Sequence, residues 1–147
     1  MKKKLFTYFG SSFLFHLLWE NFQAPLYQGY TSFNQHFWIC LRATATGDML
    51  FMLIIYAVLA LVHRDAFWIA HKTNYTTMTW VIIILMGLLI GVSFEFWAVF
   101  IVHRWQYGSM PTALGIGLLP ILQMIVVPSI TLLISKSICI RISESKL

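Results

Sequence analysis

Apolar residues in this chain do not alternate or recur once per turn. They run in four long blocks, at about 5–24, 44–63, 79–102 and 112–135, with polar residues gathered between them. Each block is long enough for a helix to cross a ~30 Å hydrocarbon core, so the pattern predicts four transmembrane helices. Pro25 ends the first block, and Tyr27–Gln35 is a short polar loop. The following HFWICLR carries Phe37 and Trp38, which suit a membrane interface. His63–Thr77 joins the second and third blocks; Phe67, Trp68 and Tyr75 among polar residues predict a short interfacial helix there, with His63 and His71 at the surface. His103–Pro111 reads as a tight aromatic turn. The fold class is all-α: a polytopic membrane protein with its four helices in an antiparallel bundle, forming one domain.

Composition sharpens this. With 59% hydrophobic and 10% charged residues over 147 positions, the chain is too apolar for a soluble domain of its size. The net charge of +5 is not a nucleic-acid footprint, because the basic residues sit at the ends of apolar blocks and form no basic face. They report topology instead. Four spans put Lys2, Lys3, Lys4, Arg64, Lys72, Lys136, Arg141 and Lys146 on one side and only Arg42 and Arg104 on the other. The excess assigns both termini to the cytoplasm of a multi-pass protein in the cell membrane, the inner membrane of a bacterium. No small-x-small cleavage site follows the first block, so it is expected to be retained. Cys40 and Cys139 fall on opposite sides and are not expected to pair, and 136–147 is a short, polar, basic tail.

Against this background the polar residues inside the blocks stand out. Gly87, Gly91 and Glu95 share one face of the third helix, two small residues and an acid at fourfold spacing. Small residues let another helix approach, within the chain or from a homo- or hetero-oligomeric partner. An acid inside a span is expensive unless it faces such a contact, which marks Glu95 as a functional candidate. Glu20 lies one turn after His16 near the end of the first helix, beside Asn21, where the helix dipole disfavours a carboxylate. Two ligands without a third are a weak metal signal, and no metal site is expected. Asp48 opens the second helix, where the dipole favours an acid without any function. Arg42 and Arg104 are the available counter-charges, Arg104 heading the turn that holds Trp105 and Tyr107. In the fourth helix Pro120 and Pro128 are expected to free the carbonyls of Ile116 and Met124, with Gln123 supplying a donor or lining a cavity. By a rise of ~1.5 Å per residue Glu95 lies roughly 12 Å below His103. In this topology Glu20, Asp48, Glu95, Arg42 and Arg104 share the outer half of the membrane, and Gln123 descends to a similar or greater depth from the opposite direction.

WENFQAPLY, ATATGD, EFWAVFIVHRWQYGSMP and GIGLLPILQ together resemble an uncharacterised family of small bacterial four-helix integral membrane proteins, a resemblance that implies a fold and no activity. The chain is also faintly similar to small carotenoid (lycopene) cyclase subunits, which combine short spans, acids and a W-x-Y turn before a proline-containing helix. Those proteins carry paired acids after that proline; here Ile121 and Leu122 follow Pro120, which argues against cyclase chemistry. The expectation is an outer-half pocket that binds, and by acid or base action of Glu95 and Glu20 converts, an amphipathic or isoprenoid-like lipid. The sequence names no cofactor. The rival expectations are a proton- or cation-coupled transport component and a noncatalytic partner subunit.

Overall fold

A computed structural model describes residues 2–144, with side chains described from Lys3 to Ile138; the side chains of Lys2, Cys139, Arg141 and Lys146 lie outside them. The chain is built on long helices: α1 (Lys2–Gln23), α2 (Phe33–Ala43) running through a π-helical turn (Thr44–Asp48) into α3 (Met49–His63), α4 (Thr77–Phe96) extended by a second π-helical turn (Trp97–Ile101), and α5 (Leu118–Glu144). Three stretches, Phe33–His63, Thr77–Ile101 and Leu118–Ile138, are long and apolar enough to cross a membrane. In α1, Thr7, Ser11, Ser12, His16, Glu20 and Asn21 dilute a 22-residue helix.

Three boundaries differ from expectation. The second helix begins at Phe33, because the interfacial HFWICLR segment is itself helical and continuous with the apolar block. Thr112–Gly117 is not helix but a β-hairpin, β1 (Thr112–Ala113) pairing antiparallel with β2 (Ile116–Gly117). Its two-residue turn has positive φ at both Leu114 (53°) and Gly115 (81°), the I′ geometry that matches strand twist. The expected polar tail is the end of α5, which continues to Glu144.

Consecutive helices run antiparallel. Tyr8 meets Tyr56 (centroids 5.6 Å) while His16 meets Asp48 (3.7 Å), so α1 opposes α3. Phe51 meets Phe94 (5.1 Å) and His63 meets Thr79 (3.0 Å), so α3 opposes α4. The Gly87/Gly91 face packs on α5 inside the chain: a Cβ at Gly87 would lie 2.1 Å from the Met124 carbonyl oxygen, and one at Gly91 would lie 3.0 Å from Ile121 Cα. That face is therefore taken by the chain's own helix and not left open for a partner. Pro128, inside α5, removes the donor that Met124 O would otherwise accept, and the freed carbonyl is the one pressed against Gly87. Pro120, by contrast, sits in the first turn of α5, where no intrahelical donor is lost and Ile116 is already strand. The expected interruption at Pro120 is absent for that reason.

At the amino-terminal end the 64–76 segment folds inward rather than lying on the surface. Trp68 and Ile69 are fully buried against Tyr8, Tyr56 and Leu132. Two short 3-10 turns, Trp68–Ala70 and Lys72–Asn74, replace the expected interfacial helix, and Lys4 Nζ donates to Ala70 O at 2.8 Å. His63 is half-buried: it stacks on Trp68 and bonds Thr79 Oγ1. His71 is exposed, 3.3 Å from Asp65.

Candidate functional site

At the opposite, turn end the chain following α1 meets the turn following α4. Gln28 N donates to Gln106 O (3.0 Å) and Gly108 N to Leu26 O (2.8 Å), which sets Tyr27 edge-on to Trp105 and tilted against Tyr107. This pairing aims Tyr107 at Glu95. Glu95 is 1% exposed; its Oε2 accepts from the Tyr107 hydroxyl and, at 3.3 Å, from the backbone N–H of Gly117. The Gly117 N–H also reaches Tyr107 Oη at 2.8 Å. The hairpin supplies that N–H, and glycine there lets the Tyr107 ring lie close, since a Cβ would meet it at 3.0 Å and push it back by a few tenths of an ångström. The buried indole N–H of Trp105 lies near enough to Glu95 and Tyr107 to interact with both, though it makes no hydrogen bond of regular geometry among the described residues.

Tyr107 lies in the turn beyond the helices. Burial, then the hydrogen bond and the charge of Glu95, push its hydroxyl up to about 12. Because this folded value exceeds the unfolded one near 10, the stabilising contribution is whole below pH ~10 and is lost as pH rises towards 12. A spectrophotometric alkaline titration should therefore show a late-ionising tyrosine that is lost in Tyr107→Phe and ionises earlier in Glu95→Gln; the same titration in Glu95→Gln as in wild type would contradict the Glu95–Tyr107 contact.

A second cluster centres on Gln123, 1% exposed on α5. Its Nε2 donates to His16 Nδ1 (2.9 Å) and Asp48 Oδ2 (3.4 Å), and its Oε1 accepts from Gln23 Nε2 (3.1 Å). Gln23 Nε2 also donates to Glu20 Oε1 at 3.0 Å. One amide thus ties α1, the α2–α3 helix and α5 together. With Nδ1 accepting, His16 carries its proton on Nε2.

Both clusters face one cavity of about 680 Å³. Glu20, Asp48, Glu95, Gln23 and Gln123 line it, with Arg104, Gln28 and His36 towards the turn end. Phe51, Phe94 and Met124 form apolar wall, and Ile39, Leu50 and Trp97 both line the cavity and are exposed at the outer surface of their helices. Each π-helical turn adjoins an acid: Asp48 closes the first, and the second starts two residues after Glu95. Such turns rotate the face that follows them and recur at functional sites.

Of the expected residues, Glu20, Asp48, Glu95, Gln123, Arg104 and Trp105 share this cavity, His16 lies behind Gln123, and Tyr107 bonds to Glu95. Asn21 turns away, donating to Leu17 O on its own helix (2.7 Å), and Arg42 is exposed and off the cavity. Arg104 sits over the Trp105 ring at 5.5 Å, and among the described residues neither arginine forms an ion pair with a carboxylate. Gln23, Tyr27 and Gly117 are site residues that the sequence did not single out. Nor do three His, Cys, Asp or Glu side chains gather around a metal-sized point among the described residues. Compared with known proteins, the chain matches no family model, no curated protein and no solved structure.

Proposed function

We propose that this is a four-span protein of the bacterial inner membrane. In this reading α1 crosses with the three apolar stretches as an antiparallel bundle, both termini are cytoplasmic, and the cavity in the outer half binds an amphipathic lipid. The distribution of Lys and Arg, eight residues on the side of the termini against two, supports the orientation. One observation carries the functional reading: acids from α1, the α2–α3 helix and α4 line, with Gln123 of α5, one cavity that is polar towards the turn end at Gln28, His36 and Arg104 and apolar along Phe51, Phe94 and Met124. A volume of about 680 Å³ suits a small-molecule site, and a cavity bordered by exposed Ile39, Leu50 and Trp97 admits a ligand from the lipid phase. The acids hold the ligand's polar end and the aromatic wall its apolar body. The isoprenoid class is drawn from the resemblance to carotenoid cyclase subunits; the cavity itself asks only for one polar end. Glu95, held by Tyr107 and the Gly117 N–H, is the group suited to exchange a proton with that end.

Native mass spectrometry of protein purified in mild detergent tests this. A lipid-sized adduct is expected on the wild type and is lost in Glu95→Gln, whose fold is retained because the amide fills the same volume. The absence of any adduct from the wild type, or its retention in Glu95→Gln, would refute the site.

A further inference from the structure

Below the cavity, towards the amino-terminal end, α1 presents Tyr8, Ser12 and His16 at fourfold spacing, all fully buried. Tyr8 Oη, Ser12 Oγ and His16 Nε2 each lack a hydrogen-bond partner among the described residues. On α5, Thr131 Oγ1 is likewise buried and unpartnered, and Trp68 Nε1 is the same beside Tyr8. Because Gln123 meets His16 and Gln23, and Leu132 joins the core around Tyr8, Thr131 comes to the level of Tyr8 and Ser12.

The usual fate of a helical hydroxyl is a bond to the carbonyl three or four residues back. Thr7, Ser11, Thr46, Ser129, Ser135 and Ser137 all make it, at 2.7–3.2 Å. Ser12 and Thr131 do not. Buried polar atoms without protein partners are rare, and ordered water is their ordinary explanation. Fourfold spacing, a rise of ~6 Å for each step, sets Tyr8, Ser12 and His16 on one face at successive turns of α1.

We propose that Tyr8, Ser12, His16 and Thr131 hold a file of water that connects the amino-terminal end of the chain to the acids of the cavity and carries protons across the membrane. The inference rests on the four-span reading but not on which ligand fills the cavity. At the junction Gln123 first releases His16 Nδ1, whose lone pair it occupies at 2.9 Å; Nδ1 then takes the carboxyl proton of Asp48, whose Oδ2 stands 3.7 Å off, as the Nε2 proton leaves to the file. The ring stays neutral, rotation of the imidazole restores its starting tautomer, and the Asp48 carboxylate left behind is reprotonated from the cavity, so one proton has passed from the cavity to the file. Glu20 reaches the same junction through Gln23 and Gln123. At the far end Tyr56 and Tyr75 donate to Ala66 O and Ile69 O, and Lys4 to Ala70 O, so these groups are engaged around the file. On the other side the cavity reaches the turn end past Gln28, His36 and Arg104.

The full chain reconstituted in liposomes containing a pH-sensitive dye, with a potassium diffusion potential set by valinomycin, provides the test. Proton uptake is expected to exceed that of protein-free liposomes, as for a relay of buried polar groups. Ser12→Val, and independently the isosteric Thr131→Val, should bring it close to the protein-free rate. Ser11→Val, whose hydroxyl is already bonded to Tyr8 O, should leave it unchanged. Wild-type uptake equal to that of protein-free liposomes, or full uptake in both Ser12→Val and Thr131→Val, would overturn the proposal. The lipid adduct should persist in Thr131→Val, so loss of the file and loss of the cavity ligand are separable.

Discussion

Gly87→Ala is expected to destabilise the protein by about 3 kcal/mol, the upper part of the range for overpacking a well-packed contact. The added Cβ would stand 2.1 Å from Met124 O, 2.8 Å from Met124 C and 3.2 Å from Ile125 Cα. All three are backbone atoms, so no side chain can swing aside and α5 itself has to move. Displacing α5 withdraws Gln123 from His16 and Asp48, and the cost then spreads from the helix contact to the polar cluster. Gly91→Ala is milder, since its nearest neighbour is Ile121 Cα at 3.0 Å. Thermal unfolding of the purified protein in detergent, followed by circular dichroism, separates the two. Gly87→Ala should unfold well below Gly91→Ala, and Gly91→Ala somewhat below wild type. Gly87→Ala melting with the wild type would mean that α4 and α5 do not approach at this glycine.

This contact shows what the chain's sequence makes legible. A Gly-xxx-Gly-xxx-Glu stripe can be read without coordinates, because fourfold spacing fixes a helix face and a buried acid has to point where lipid is not. What the stripe does not contain is the identity of the opposing helix. Only α5, with a carbonyl stripped of its donor by Pro128, defines the surface that the glycines fit. The acids and Gln123 were legible by the same reasoning, since hydrocarbon leaves few places for polar groups. The hairpin at Thr112–Gly117 was not. Its turn is Leu114-Gly115 in place of Asn-Gly or Asp-Gly, with Leu114 at φ 53° and 96% exposed, and a run of apolar and small residues reads as the start of a helix. Missing the hairpin meant missing Gly117, whose N–H helps to hold Glu95. Gln23 was hidden differently: it lies two residues before Pro25, where a polar residue signals a helix end, and nothing local shows that it bonds to an amide 100 positions away. The arginines misled because charge complementarity is a statement about proximity, which sequence does not supply. Arg42 faces outward and Arg104 covers an indole.

Gln123→Leu is expected to cost about 4 kcal/mol or more, and the size of the loss depends on what its partners do afterwards. The substitution removes three bonds, to His16 Nδ1, Asp48 Oδ2 and Gln23 Nε2. Bonds between membrane helices average only ~0.6 kcal/mol in double-mutant cycles, so the lost attractions alone would amount to about 2 kcal/mol. Stranding buried partners adds to this, at ~1–3 kcal/mol for each group left unsatisfied. Gln23 is the least affected, because its Nε2 keeps Glu20 Oε1 at 3.0 Å. His16, 0% exposed and already without a partner on Nε2, and Asp48, 6% exposed, are left facing leucine. The stranding component should therefore be recoverable: adding His16→Leu to Gln123→Leu removes one orphan and restores apolar contact, so the double variant should be more stable than Gln123→Leu alone. Unfolding of the four proteins of this cycle by detergent titration measures the coupling directly. A single Gln123→Leu variant as stable as wild type would show that the amide does not bind three helices, and additive losses in the double variant would show that His16 and Gln123 do not touch. Non-additivity with recovery would locate the stability of the α1–α5 seam in this one amide.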